Sequence, residues 1–340
     1  MKSNRSAGLF LFVALTPALV TAALAASPNY MIQDRIKVAD GGYDYTTFDP
    51  VTGRVYMARD DFTTMIDTRT GKVSQLTSAS HGHMAIPVPG TTLVALPQGL
   101  GAVRIVDTAT DMVTADIPAG MRGPDGATYD PYSKLIFAMI RNAGEAIAID
   151  PIAHTLVATI PVGGLLEFPA SDGAGKVFVN VTSVPEIAVI DVNTRTVMSR
   201  YKLEGCRGAS GLAYASQAKL LISSCGNGMA KVLQADTGKE IASLPIGRGP
   251  DAVIYDPARQ LAFIPCGGDG VLEVISVSDS AHVELVQQVP TQIGTRTGTV
   301  DPRTGRLYLM ASKHDPSVPP GGLHGGPQLA GSFEVLVVGP

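Results

Sequence analysis

Asp44, His83, Asp125, Glu167, Ser210, Asp251 and Arg296 recur at roughly one per 42 residues along this chain. Each stands five positions before the aspartate, or its aligned counterpart, of a recurring turn. Carboxylates, an imidazole, a hydroxyl and a guanidinium at one repeat-equivalent position could together hold a small polar ligand. They could also hold a divalent cation. Oxygens from Asp44, Asp125, Glu167 and Asp251 suit calcium or magnesium, and His83 would extend the set toward transition metals. His81 precedes His83 by two, so on an extended strand both rings point the same way. The pair lacks the HExxH or repeated Cys/His spacing that marks zinc. The competing role is architectural, because polar residues at strand starts also cap loops and bridge neighbouring elements. As a set, however, so many charges cannot converge without shifted pKa values or a bound partner.

What must position these residues is a repeat. Between residues 30 and 339 one unit recurs seven times. Its turn-and-strand pieces read FDPVTGRVYMA (48–58), YDPYSKLIFAM (129–139), SDGAGKVFVNV (171–181), YASQAKLLISS (214–224), YDPARQLAFIP (255–265) and VDPRTGRLYLM (300–310). IPVPGTTLVAL (86–96) is the most drifted copy. Following strands end alike: TTMIDT (63–68), AVRIVDT (102–108), AIAIDP (146–151), IAVIDV (187–192) and AKVLQADT (230–237). Four short strands per unit predict an all-β chain, a seven-bladed β-propeller. The last unit stops after FEVLVVG (333–339), one strand short, while IQDRIKVADGG (32–42) resembles LVATIPVGG (156–164) and EIASLPIG (240–247). The N-terminal strand is therefore expected to complete the last blade and close the ring. In a propeller the innermost strands line a central channel, so the seven residues should ring its mouth.

Loops on that face add polar groups. ARDDFT (58–63) carries Arg59, Asp60 and Asp61, and IRNAGEA (140–146) carries Arg141, Asn142 and Glu145. The longest loop, SKHDPSVPPGGLHGGPQLAG (312–331), contains His314 and His324. It reads either as a lid over the mouth or as a cover where the ring rejoins.

Residues 1–25 read as a signal peptide: Lys2 and Arg5, then apolar LFLFVALTPALV (9–20), then Ala23-Leu24-Ala25. Residues 26–340 are expected to form a single domain in the periplasm or outside the cell, a monomer with no transmembrane segment. No cysteine sits at the cleavage point to take a lipid anchor. The net charge is −4, tryptophan is absent, and no Lys/Arg cluster is present, which argues against nucleic acid as a partner. Neither Gly-x-Ser-x-Gly, a phosphate-cradling GxxxxGK[ST], nor a haem-attaching CxxCH occurs. Ser210, in GASGL, opens a strand rather than a nucleophile elbow. Cys206 and Cys225 belong on one face of the fifth blade, whereas Cys266 is the equivalent of Cys225 one blade on, beyond bridging distance. A Cys206–Cys225 disulfide with Cys266 free is expected, in keeping with an oxidising compartment.

Several segments carry a resemblance to a known family: VFVN (177–180), HGHMA (81–85), GPDGATYDP (123–131), GGLLEF (163–168), GCRGASGLAY (205–214), SSCGNGMAKVLQADTGK (223–239), IGRGPDAVIYDP (246–257) and GSFEVLVVG (331–339). The chain resembles the YVTN-type (YncE-like) seven-bladed propellers of bacteria over essentially its whole mature length. The resemblance implies an exported propeller and a Cys…GLA…Cys pair matching Cys206 and Cys225; Cys266 departs from the pattern. It implies little about activity, since propellers host unrelated functions. Three readings follow: a binder of a small ligand or envelope protein at the mouth; a metal-assisted hydrolase, lactonase or lyase using the same residues; or a structural interaction module of the cell envelope.

Overall fold

The second strand of a blade lies between two neighbouring blades as well as between two strands, which explains its largely apolar sequence. Leu135–Ile140, Leu220–Cys225 and Leu261–Cys266 are buried at every position. Outer strands alternate instead, as in Thr196–Lys202, because one edge and parts of both faces meet solvent. The computed structural model describes residues 29–79, 82–99, 101–120, 123–315, 317–318 and 327–340. The expected signal peptide lies outside these described residues, as do His81 and His324.

The described strands form seven four-stranded antiparallel sheets. Blades 1 to 6 span residues 43–76, 86–118, 127–161, 166–202, 209–245 and 254–290, each running in chain order from its innermost strand outward. Inner strands of adjacent blades touch all the way round, that of blade 7 against that of blade 1. The all-β seven-bladed propeller is thus as expected. The apolar clusters lie between blades: Phe137 and Met139 pack with Val177 and Val179, and Val55 and Met57 with Met310 and Val335. Blade 2, the drifted copy, keeps an inner strand of only Ile86–Pro87, since Pro87 and Pro89 cannot donate to a ladder.

Blade 7 holds Gly298–Asp301, Arg306–Ala311 and Glu334–Gly339, and its outermost strand is Met31–Lys37 from the opposite end of the chain. The pairing runs from Met31 opposite Gly339 to Lys37 opposite Glu334, with an irregularity between Ile32 and Asp34. Neighbouring residues reinforce it. Buried Tyr30 exchanges two 2.8 Å hydrogen bonds with the Gln287 amide of blade 6, and its ring meets Phe263 edge-on. The Asp40 carboxylate accepts the backbone N–H groups of Gly331 and Phe333.

The repeated turn aspartates are structural. Asp130 is fully buried, and its carboxylate accepts from Ser133 N–H at 2.8 Å, Ser133 Oγ at 2.6 Å and, in the next blade, Ser171 Oγ at 2.6 Å. Asp256 accepts similarly from Ala258 and Arg259. Cys206 and Cys225 are bonded with a Cα separation of 5.4 Å, and Cys266 is free and buried. The bond spans 19 residues, a length for which chain entropy gives roughly 3 kcal/mol. Among the described residues no helix is long and apolar enough to cross a membrane.

Deleting residues 29–38 would leave the outer edge of Glu334–Gly339 unpaired and remove the strand that closes the ring. We expect the thermal midpoint to fall by at least about 10 °C by calorimetry. An unchanged midpoint would contradict closure by this strand.

Candidate ligand-binding mouth

Inner strands would normally alternate their side chains between the two faces of a blade. At the mouth this alternation is broken. In blades 1, 4 and 5 the pairing with the second strand shifts register between Tyr43 and Thr46, Leu166 and Pro169, and Ala209 and Leu212. Asp44, Glu167 and Ser210 lie inside those irregular stretches, the kind of bulge that re-aims a side chain. In the other blades His83, Asp125, Asp251 and Arg296 precede the regular inner strand altogether. All seven residues line one cavity of about 390 Å³, joined by Tyr45 and Arg141.

Within it, His83 Nδ1 lies 2.6 Å from Asp44 Oδ2 and 3.7 Å from Asp125 Oδ1. Arg141, from the short turn Arg141–Ala143, places Nη2 2.8 Å from Glu167 Oε1 and Nε 3.8 Å from Asp125 Oδ2. Arg296 Nε donates to Asp251 Oδ2 at 3.1 Å, its Nη2 donates to the Tyr43 carbonyl at 3.0 Å, and its guanidinium lies over the Tyr43 ring. All seven therefore make contacts from one blade to another. Arg296 ties blade 7 to blades 6 and 1, and Ser210 Oγ donates to the Pro250 carbonyl of blade 6 at 2.9 Å.

The layer just below the seven was not singled out in the sequence. It contains Gly126 and Gly211, where a side chain would collide with the adjoining inner strand: a Cβ on Gly211 would lie 2.5 Å from Val253 N. Close approach of backbones leaves room for two rings. Tyr45 of blade 1 and Phe168 of blade 4 meet edge-to-face at 4.9 Å across the channel, and Tyr45 Oη stands 3.5 Å from Glu167 Oε2. These rings separate the polar mouth from a second chamber of about 480 Å³ lined by Met84, Ile86, Phe168, Val253 and Ile254. Only two blades carry an aromatic at this position, so no repeat pattern announces the plug.

Arg59 does not reach the cavity. It is buried, donates to the carbonyls of Ala39, Gly41 and Gly42, and lies over Phe333. The described part of the 312–331 loop folds on itself, His314 pairing with Gln328, and sits beside Gly294 at the junction of blades 6 and 7.

No family model matches this chain, and no curated protein sequence does. Solved structures match its fold. A chain in the crystal structure of the mitotic checkpoint complex superposes with a TM-score of 0.71 at 14% identity, covering 89% of this chain and 96% of that one. A chain of the Kuenenia stuttgartiensis hydrazine synthase gives 0.71 at 15% identity, covering 81% and 94%. Likeness at this identity is one of propeller architecture and carries no chemistry across.

The chemistry must come from the mouth's own electrostatics. Burial pushes the Glu167 carboxyl up to about 8, the charge of Asp125 adding to the effect and Arg141 opposing it. Asp44 rises by burial to about 6, against the hydrogen bond from His83. Asp125 also rises by burial, against the pull of His83 and Arg141. His83 is raised by its hydrogen bond to Asp44, which outweighs burial. All four shifts leave the folded protein holding more protons than the unfolded chain, whose carboxyls titrate near 3.8 and 4.5. Where the native state binds more protons, stability falls as pH rises. The His83 contribution has the same sign, being present below 6.5 and lost as pH climbs through its raised value. The turn carboxylates Asp67 and Asp191 are lowered instead, so their titration lies below this window. We therefore expect the urea midpoint of the ligand-free protein to fall between pH 5 and pH 8, and Glu167→Gln to remove much of the slope. A flat or rising profile in wild type would contradict the assigned shifts.

Proposed function

We propose that this chain is an exported, YncE-like propeller that binds a small polar ligand at the acidic mouth of its channel. One observation carries the reading: seven blades each place a residue on one cavity of about 390 Å³, four of these residues carboxylates, against two guanidiniums among the described residues, Arg141 and Arg296. Its size falls in the range of small-molecule pockets, about 300–1,000 Å³. The blades are already tied together by bonds that need no such crowding, as in Asn180 Nδ2 to the Ser210 carbonyl and Thr297 Oγ1 to the Asp44 carbonyl. An acidic lining favours a cationic or hydroxyl-rich ligand over an anion. The leader-like N-terminus and the Cys206–Cys225 bond support an extracytoplasmic setting.

A hydrolase, lactonase or lyase is the second reading, and Glu167 favours it. A carboxyl protonated near neutral pH in the same cavity as the ionisable His83 supplies a candidate general acid beside a candidate base.

A thermal-shift panel of small amines, sugars and lactones separates these readings from a purely architectural mouth. Compounds that raise the wild-type midpoint should lose at least half of that effect in Asp125→Asn and Glu167→Gln. Mass spectrometry of the same mixtures would show turnover if the mouth is catalytic. No stabilising compound, or hits indifferent to both substitutions, would leave the mouth as scaffolding.

A further inference from the structure

Asp44, His83 and Asp125 form a compact group inside the mouth. One donor atom from each lies within 4.8 Å of the others, and the three come from consecutive blades 1, 2 and 3. We infer that this tripod holds a single divalent transition-metal ion, such as zinc or manganese, with its open positions facing the cavity. The inference rests on the mouth being a binding site and names what the ligand would meet there.

Three observations support it. The first is spacing. Ligand bonds of about 2.0–2.2 Å place neighbouring donors of one ion roughly 3 Å apart. The present separations from His83 Nδ1, 2.6 Å to Asp44 Oδ2 and 3.7 Å to Asp125 Oδ1, bracket that value. Small rotations of two side chains would equalise them, with the ion replacing the proton now shared by Nδ1 and Asp44. The second is charge. Arg296 is committed to Asp251 and the Tyr43 carbonyl, and Arg141 stands 2.8 Å from Glu167 but 3.8 Å from Asp125. Among the described residues Asp44 and Asp125 share one imidazole, with Arg141 a more distant partner of Asp125, so two carboxylates face a single close cationic group. The third is rigidity. Asp44 lies in a bulged strand end, and the backbone N–H groups of His83 and Asp125 donate to the Pro97 and Met139 carbonyls of their second strands. Side chains so placed need little reorganisation to bind.

The donor set decides the class of ion. Calcium takes six to eight oxygens and magnesium keeps a largely oxygen and water shell, whereas an imidazole nitrogen suits first-row transition ions. His83 offers Nδ1 to the tripod, while its Nε2 faces Gly99, where a Cβ would come within 3.2 Å of it. The three side chains are 29%, 38% and 20% exposed, so the group is open on one side. An ion there could meet a ligand oxygen or a water.

The test titrates chelator-treated mature protein with Zn²⁺, Mn²⁺ and Ca²⁺ alone by isothermal calorimetry. We expect one Zn²⁺ or Mn²⁺ per chain, with Ca²⁺ at least tenfold weaker. Asp125→Asn and His83→Gln should each weaken binding by at least about tenfold, with circular dichroism reporting whether each remains folded. Glu167→Gln, outside the tripod, should change it less. Absence of stoichiometric binding in wild type, binding that survives in a folded Asp125→Asn or His83→Gln variant, or a preference for Ca²⁺ overturns the inference. Its failure is distinguishable from failure of the mouth as a binding site. A compound that stabilises metal-free wild type but not Asp125→Asn would retire the metal and keep the mouth.

Discussion

Seven inner strands can face one axis only if the circle of blades is held shut, and here a single strand from the far end of the chain does this. Met31–Lys37 supplies the outer edge of the blade that Glu334–Gly339 would otherwise leave open. The closing bonds extend beyond the ladder, with Tyr30 pinned to Gln287 of blade 6 and Asp40 capping the approach to Phe333. Every distance across the channel depends on that closure. Arg296 of blade 7 reaches the Tyr43 carbonyl of blade 1, and Thr297 reaches that of Asp44, only because these blades are neighbours.

Within the closed ring two layers of one strand end play opposite parts. The upper layer points charge into the channel, aided by irregular pairing at Asp44, Glu167 and Ser210. The layer beneath turns inward as well, but with glycines and aromatics, and the Tyr45–Phe168 contact closes the floor. The carboxyls are partly desolvated by burial, which is the leading cause of the rise at both Asp44 and Glu167. Desolvated like charges are unfavourable for an empty fold, and such a feature is ordinarily kept for function.

Much of this was legible in the sequence because a propeller writes its geometry as a period. Turn aspartates such as Asp130 and Asp256 set the blade register, and counting back five residues located the mouth residues. The missing final strand and its likeness at residues 32–42 gave the closure, and repeat-equivalent placement gave the Cys206–Cys225 pair. Other features had no periodic trace. The aromatic floor rests on residues present in two blades only, and the bulges depend on backbone pairing rather than on residue type. Nor did the pattern say which partner each takes: Ser210 the Pro250 carbonyl, Arg296 the Asp251 carboxylate, and His83 both Asp44 and Asp125. Arg141 stood out as a polar loop residue, but its aim at Glu167 follows from the turn at Arg141–Ala143.

On the proposed reading, the charge gathered at the mouth opposes the empty fold and is kept for a bound ligand. Urea denaturation of Asp125→Asn/Glu167→Gln against wild type, at pH 8 without added metal or ligand, tests it most directly. Relief of crowding predicts a double variant more stable than wild type, by about 1–2 kcal/mol. A double variant less stable by a similar margin would show that these carboxylates hold the ring together, and would contradict the account.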